Sequence, residues 1–249
     1  MESQNYSKII LDQFPETGED IVELFDFKLI DLYNHFLLDK NLEGGFFSKK
    51  DSDLILTRHI VESIYFVYSL VGNEFVSRET KLLDVGTGPG LPGFLFLCLK
   101  ECPLVFLMDS AKRKLGLLEE WWKAVKKEFS GKNLQFKYER AEESKGKYDI
   151  VVMRASVPYP FSVEVVSNLV ITGGLFCPFL AREQDWKKKE EEILSNSGFI
   201  LEGVLELEEL SFLGARQIKV LKKLCPSKHG FPRDWKILSK EIKEAEWVK

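Results

Sequence analysis

Strands and helices alternate through the middle of this chain, and that alternation predicts a doubly wound α/β fold. The expected sheet is mostly parallel with an antiparallel last strand, and an N-terminal helical region precedes it. Three observations carry the prediction. The run Lys81-Leu-Leu-Asp84-Val-Gly86-Thr-Gly88-Pro-Gly90-Leu-Pro-Gly93 joins a short apolar strand to an apolar helix through a glycine-rich turn. Strand-sized and helix-sized apolar segments then alternate as far as Leu221. The last two strands have no helix between them, and a connection that short suits an antiparallel pair.

The elements follow in order. Ile21, Leu24/Phe25, Leu29, Leu32 and Phe36 keep a helical stripe, as do Leu56, Ile60, Ile64, Val67 and Leu70/Val71. A polar, glycine-containing loop, Lys40 to Asp53, separates them, and Gly72–Thr80 marks a boundary before the glycine-rich strand. Strand Leu82–Val85 leads to helix Leu91–Leu99, and strand Leu104–Met108 to helix Ser110–Phe129. Strand Leu134–Tyr138 is followed by strand Tyr148–Met153 and a helix starting near Pro160. Strand Leu175–Leu180, helix Asp185–Ser195 and strands Ile200–Leu207 and Gln217–Leu221 complete the expected domain. On the long second helix Leu115, Leu118, Trp122, Val125 and Phe129 recur at spacings of three and four, so this stripe packs on the sheet. The tail has two prolines between Cys225 and Arg233, then a short amphipathic helix with Trp235, Leu238 and Ile242. The division is therefore a helical region over 1–77, a sheet domain over 78–224 and a C-terminal extension over 225–249.

Composition narrows the partners. With 249 residues and 45% apolar content the chain can bury one good core plus appendages. No uncharged apolar run reaches membrane length and Met1 to Leu11 lacks the pattern of a secretory signal, so a cytoplasmic protein is expected. Cys98, Cys102, Cys177 and Cys225 show no CxxC spacing, which fits packing in a reducing compartment and no metal site. The net charge of −4 hides a division: acids outnumber bases 12 to 5 over Met1–Asp53, whereas bases lead 12 to 8 over Lys100–Lys147. A polyanion would have to meet local basic faces on an acidic body.

The glycine loop carries the chemistry. Gly86, Gly88 and Gly90 let the backbone take positive φ and leave no Cβ in the way of a ligand, while Leu91 presents its backbone at the start of a helix whose free N–H groups would point at that ligand. A Gly-x-Gly-x-Gly turn alone is shared by several nucleotide-binding folds. Asp84, just before the first glycine, would repel a pyrophosphate but suits a cationic or hydroxyl-rich ligand. Asp109, 19 residues beyond Gly90, closes the second strand, where an acid can take both ribose hydroxyls. The combination favours S-adenosylmethionine over NAD. Ala141 and Glu142 follow the third strand, where a backbone and an acid can meet an adenine edge. Arg154 leaves the fourth strand at the ligand-binding edge of such sheets and needs an anionic partner, either the cofactor carboxylate or a phosphate of the substrate.

Several stretches match one family together. Arg58-His59-Ile-Val-Glu62-Ser63 precedes the glycine-rich strand, Asp109-Ser110 follows the second and Arg140-Ala141-Glu142-Glu143 the third. Tyr148-Asp149-Ile-Val-Val-Met-Arg154-Ala155 forms the fourth strand and its exit, and Arg216 opens the last. With the GTGPGLPG loop, this order resembles the RsmG (GidB) family over about residues 20 to 224. The resemblance implies a Rossmann-type S-adenosylmethionine-dependent methyltransferase that modifies guanine N7 in 16S ribosomal RNA. The chain departs from the family pattern at Glu62, where aspartate is usual, and at Met153, where serine is usual; the lysine usual after strand five has Arg182 as its nearest cation.

Guanine N7 is a free lone pair and can attack a sulfonium methyl without losing a proton. The site then needs alignment and no catalytic Ser, Cys or His; Arg154 is the one side chain with a possible catalytic role. Within Arg58–Ser63 the pairs His59/Ser63 and Arg58/Glu62 can each meet across a helical turn, as a clasp between helices and sheet or as ligand contacts. RNA contacts are expected at Arg113, Lys114, Arg182 and Arg216, beside Lys112. The substrate would be small-subunit rRNA or a pre-assembled ribosomal particle, and the enzyme a monomer. Two alternatives stay open: an NAD-linked Rossmann oxidoreductase, against which Asp84 and the antiparallel end of the sheet speak, and a non-catalytic RNA-binding module that retains a nucleotide pocket.

Overall fold

The computed structural model of the protein describes residues 6–48, 55–181 and 187–246. Three helices come first: α1 (Tyr6–Gln13), α2 (Gly18–Leu24) and α3 (Phe27–Gly44). The stripe read as one helix from Ile21 to Phe36 is broken at Phe25–Asp26. There the backbone turns out to pair with the end of the first sheet helix: Asp26 N donates to Cys98 O at 2.8 Å and Lys100 N to Leu24 O at 2.9 Å. Asp26 then caps α3, its side chain accepting from Leu29 N at 3.3 Å. Helix α3 runs on to Gly44 and consumes the start of the expected loop, whose residues 49–53 lie outside the described residues. A π-helical turn, Ile55–Ile60, leads directly into α4 (Val61–Gly72).

The sheet strands are β1 (Lys81–Val85), β2 (Leu104–Met108), β3 (Leu134–Lys137), β4 (Tyr148–Arg154), β5 (Val170–Leu180), β6 (Phe199–Glu206) and β7 (Gln217–Lys223). Their spatial order is β3-β2-β1-β4-β5-β7-β6. The first five are mutually parallel and β7 runs antiparallel between β5 and β6, so the expected antiparallel closure is present. The crossover helices are α5 (Gly93–Leu97), α6 (Lys112–Val125), α7 (Phe161–Val166) and α8 (Lys187–Ser197), and α9 (Trp235–Glu246) closes the chain. Helix α5 is shorter than the apolar run predicts, because Gly90 to Pro92 still belong to the turn.

Alternating side chains divide the core in two. Leu82, Val105, Leu107, Ile150 and Val152 face a cluster that also takes Ile21, Leu29, Ile64, Phe94, Leu115 and Leu118, so the N-terminal helices share one core with the sheet. Leu83, Val85, Phe106, Val151 and Met153 face the opposite cluster, with Val163, Ile193, Leu238 and Ile242. The tail is tied down as well. Glu164 on α7 is fully buried and accepts from Arg233 N, Nε and Nη2, each at 2.8 Å, while Arg233 Nη1 lies 2.8 Å from Glu241 on α9.

Candidate active site

The carboxyl ends of β1, β2 and β3 are neighbours in the sheet, and each contributes to one site. After β1 the loop takes positive φ at Gly86, Gly88 and Gly90. At Gly88 an added Cβ would meet open space but for Lys114 Cδ at 4.0 Å, whereas at Gly86 it would strike the Ser156 side chain at 2.2 Å. Gly86 N and Thr87 N both donate to Met108 O on β2, at 2.8 and 3.1 Å.

Asp84 lies beneath this loop and not on its surface. It is fully buried, and Oδ2 accepts from Thr87 Oγ1 at 2.6 Å and from Gly93 N at 2.8 Å. Burial pushes its pKa up to about 7 against those hydrogen bonds. This corrects the expectation of free N–H groups at the helix start: Gly93 N is taken by Asp84, Phe94 N by Gly90 O and Leu95 N by Pro92 O. A buried carboxylate therefore takes the N–H at the start of the helix that an anionic ligand would otherwise use. Leu91 is buried, its N–H bonded to Thr87 O at 3.1 Å.

Half-buried Asp109 follows β2 and braces the loop, Oδ2 accepting from Gly88 N at 2.9 Å and Oδ1 from Ala111 N at 2.7 Å. After β3 a single helical turn, Ala141–Glu143, buries Ala141. The Glu142 side chain is 7% exposed, with Arg140 Nη1 3.7 Å from Oε1. That buried oxygen has no hydrogen-bond partner among the described residues.

Beside this site a cleft of about 800 Å³ opens across the ends of β4, β5 and β7. Arg154, at the end of β4, donates through Nη1 to Glu62 Oε2 at 3.2 Å, Ser63 Oγ at 3.0 Å and His59 O at 3.4 Å. Arg216 Nε donates to the other oxygen, Glu62 Oε1, and Nη1 to Ala215 O at 3.0 Å. The anion that Arg154 requires is thus supplied by the protein itself, from α4. Burial still draws the Arg154 pKa below the usual arginine value, with Glu62 opposing. Ser63 meets His59 through its backbone, Oγ donating to His59 O at 2.7 Å. Ala155 has φ +55, and the next residue, Ser156, donates to Val85 O at 3.4 Å while packing on Gly86. Loop and cleft therefore share a wall.

The family model described as rRNA small subunit methyltransferase G (GidB) matches residues 26–209. The chain belongs to the rRNA small subunit methyltransferase G family. It is 49% identical over 229 residues to the ribosomal RNA small subunit methyltransferase G of Leptospira biflexa serovar Patoc, covering 92% of this chain and 93% of that protein. The protein of the same name from Leptospira interrogans serovar copenhageni is 45% identical over 234 residues, covering 94% and 91%. Among solved structures, magnesium protoporphyrin IX methyltransferase (ChlM) from Synechocystis PCC 6803 with bound SAM aligns with a TM-score of 0.55 at 17% identity, covering 90% of this chain and 99% of that one. That likeness extends the fold alone.

The expected RNA-contact residues of this family member are scattered. Arg113 is exposed, but Nη2 donates to Glu43 O, and Lys114 Nζ donates to Phe46 O at 3.4 Å, so both hold the end of α3. Arg216 is buried against Glu62 and lines the cleft instead of a basic surface. Arg182 lies outside the described residues. Sequence reading missed a second cluster in the cleft, Tyr159, Glu190 and Lys219. Glu190 stands in a Lys/Glu-rich run that reads as a solvated helix face, and only the order β4-β5-β7 brings the three together.

Proposed function

We propose that this chain transfers a methyl group from S-adenosylmethionine to N7 of a guanine in small-subunit ribosomal RNA. The observation that carries the cofactor reading is Asp84 bonded to Gly93 N, which takes a helix-start N–H that a nucleotide phosphate would use, while the loop stays open at Gly88. The residues fit the cofactor. Asp109 keeps acceptor capacity for ribose hydroxyls, and Glu142 Oε1, buried without a hydrogen bond, suits the adenine amino group.

S-adenosylmethionine, when bound, supplies an electrophilic methyl on a sulfonium. The protein has no proton to remove, because N7 attacks with its own lone pair. Its task is to hold the base in line with the methyl–sulfur bond. Ala155 lines the cleft and the next residue, Ser156, packs on Gly86 of the loop, while Arg154 beside them is fixed by Glu62, Ser63 and the His59 carbonyl. The cleft beside the loop is where the base would be held in line.

The reading takes the enzyme as a cytoplasmic monomer acting on rRNA or on a pre-assembled particle. The test incubates the protein with S-adenosylmethionine and either naked small-subunit rRNA or the small-subunit particle, then identifies modified nucleosides by mass spectrometry. 7-Methylguanosine at a single position is the expected result. A methyl group on another atom, or none with either substrate, overturns it.

A further inference from the structure

Two ionic clusters line the cleft from opposite faces of the sheet. Arg154, Glu62 and Arg216 stand on the side of α4. Tyr159, Glu190 and Lys219 stand on the side of α7 and α8. Glu190 accepts from Lys219 Nζ at 2.7 Å and from the Tyr159 hydroxyl, both through Oε1. The Lys219 ammonium also lies 4.4 Å from the centre of the Tyr159 ring. Side-chain exposure is 15% for Lys219 and 14% for Glu190, so this carboxylate is held nearly dry and in one orientation. The cluster balances its own charge through Oε1, and a carboxylate has acceptor capacity on its second oxygen for a further donor.

A guanine has two unlike edges. N7 and O6 accept hydrogen bonds, and the Watson–Crick edge donates through N1–H and the N2 amino group. In the reaction proposed above N7 faces the cofactor loop that follows β1. The donor edge then points away from β1, over β4 and β5. Lys219 is on β7, three strands from β1 in the sheet, roughly 14 Å at the spacing of paired strands. A base held between them would turn its acceptor edge to the loop after β1 and its donors toward the carboxylate of Glu190.

We infer that Glu190 is the specificity-determining residue of the acceptor site: it reads the N1–H and N2 amino edge of the target guanine, and Tyr159 and Lys219 position its carboxylate. This rests on the guanine N7 reading. A site with this carboxylate rejects adenine, whose corresponding edge has an acceptor at N1, and disfavours inosine, which lacks only the N2 amino group.

The test uses small-subunit rRNA in which the modified guanosine, once located by mass spectrometry, is replaced by inosine. Wild-type protein should methylate the guanosine substrate at least about tenfold faster than the inosine one. Glu190→Gln should slow the guanosine reaction and erase most of that ratio, with affinity for S-adenosylhomocysteine unchanged. Lys219→Met combined with Glu190→Gln removes both charges, so no ammonium is stranded, and a thermal shift with S-adenosylhomocysteine checks that the double variant folds; it should lose the ratio too. The inference is overturned if either variant discriminates as strongly as wild type, or if wild type itself does not discriminate. If wild type yields no 7-methylguanosine from the guanosine substrate, the reaction assignment falls and this inference falls with it.

Discussion

Arg154 Nη1 lies 3.2 Å from Glu62 Oε2, tying the exit of β4 to α4 across the mouth of the cleft. Because Arg216 holds the other oxygen of the same carboxylate, Glu62 neutralises one of two buried guanidinium groups. Glu62→Gln leaves both arginines without an anion and should cost about 3–5 kcal/mol in urea unfolding. Arg154→Ala leaves Glu62 still paired to Arg216, so stability should fall less while methylation drops at least about tenfold, or ~1.4 kcal/mol. Arg154→Lys should restore part of the loss, since the contacts with Glu62, Ser63 and the His59 carbonyl all run through one nitrogen, Nη1, whose place a single ammonium can take. Near-wild-type turnover in the alanine variant would remove Arg154 from the site.

Gly88 and Gly86 should respond differently to substitution. A side chain at Gly88 enters open space over the loop at φ +57. Gly88→Val should therefore fold, with about 1–2 kcal/mol of backbone strain, yet lose the stabilisation that a cofactor gives. Wild type with S-adenosylhomocysteine at ~100 times its Kd should gain about 2.7 kcal/mol. Gly86→Val collides with Ser156 and should unfold the site outright. Calorimetry with and without ligand reads both, and a shift with NADH but not S-adenosylhomocysteine in wild type refutes the cofactor assignment.

Asp84 makes stability depend on pH in an unusual direction for a carboxylate. Its folded pKa, raised to about 7, exceeds the unfolded value, so between roughly pH 4 and pH 7 the folded state holds a proton that the unfolded chain has released. Stability from this group falls as pH rises through that window, by up to about 1.4 kcal/mol per pH unit, and levels off above it. Asp84→Asn keeps an acceptor for Gly93 N and should flatten the slope. Equal pH slopes in the two proteins would show that Asp84 is ionised throughout.

Removing the tail should unfold the second core, to which α9 contributes Leu238 and Ile242. Glu164 is fully buried and Arg233 meets both its oxygens, so Arg233→Ala should cost about 3 kcal/mol. Glu164→Gln combined with Arg233→Met should recover part of the loss. Thermal unfolding of the two variants measures it, and an unchanged midpoint in Arg233→Ala makes the tail an appendage.

RNA docking separates Lys112 from its neighbours. Lys112 is exposed at the start of α6, whereas Arg113 and Lys114 hold carbonyls at the end of α3. Lys112→Gln should lower the slope of log affinity against log salt by about 0.7–0.9 and leave stability unchanged. Arg113→Gln should lower stability as well, by releasing Glu43 O. If the Lys112 slope does not move, the RNA face lies elsewhere.

Sequence alone determined the strands of the sheet and the nucleotide loop, because both rest on local rules. Apolar runs bounded by turns marked β2 at its observed limits and β1 to within one residue, and alternating glycines marked a backbone with positive φ. The short connection between β6 and β7, which holds only a 3-10 turn over Glu208–Leu213, implied their antiparallel pairing. Charge partners were not legible, because pairing is decided by distance in space. Arg154 and Glu62 are 92 residues apart, and the sequence could say that an arginine there needs an anion but not that α4 supplies it. Asp84 reads as an acid facing a ligand until the turn folds back and places Gly93 N against it. Tyr159, Glu190 and Lys219 look like three unrelated surface residues until β5 and β7 become neighbours. The break at Asp26 has the same cause. A helical stripe continues through it, and it ends there because the backbone of Cys98, on another element, offers a better partner than the next turn of helix.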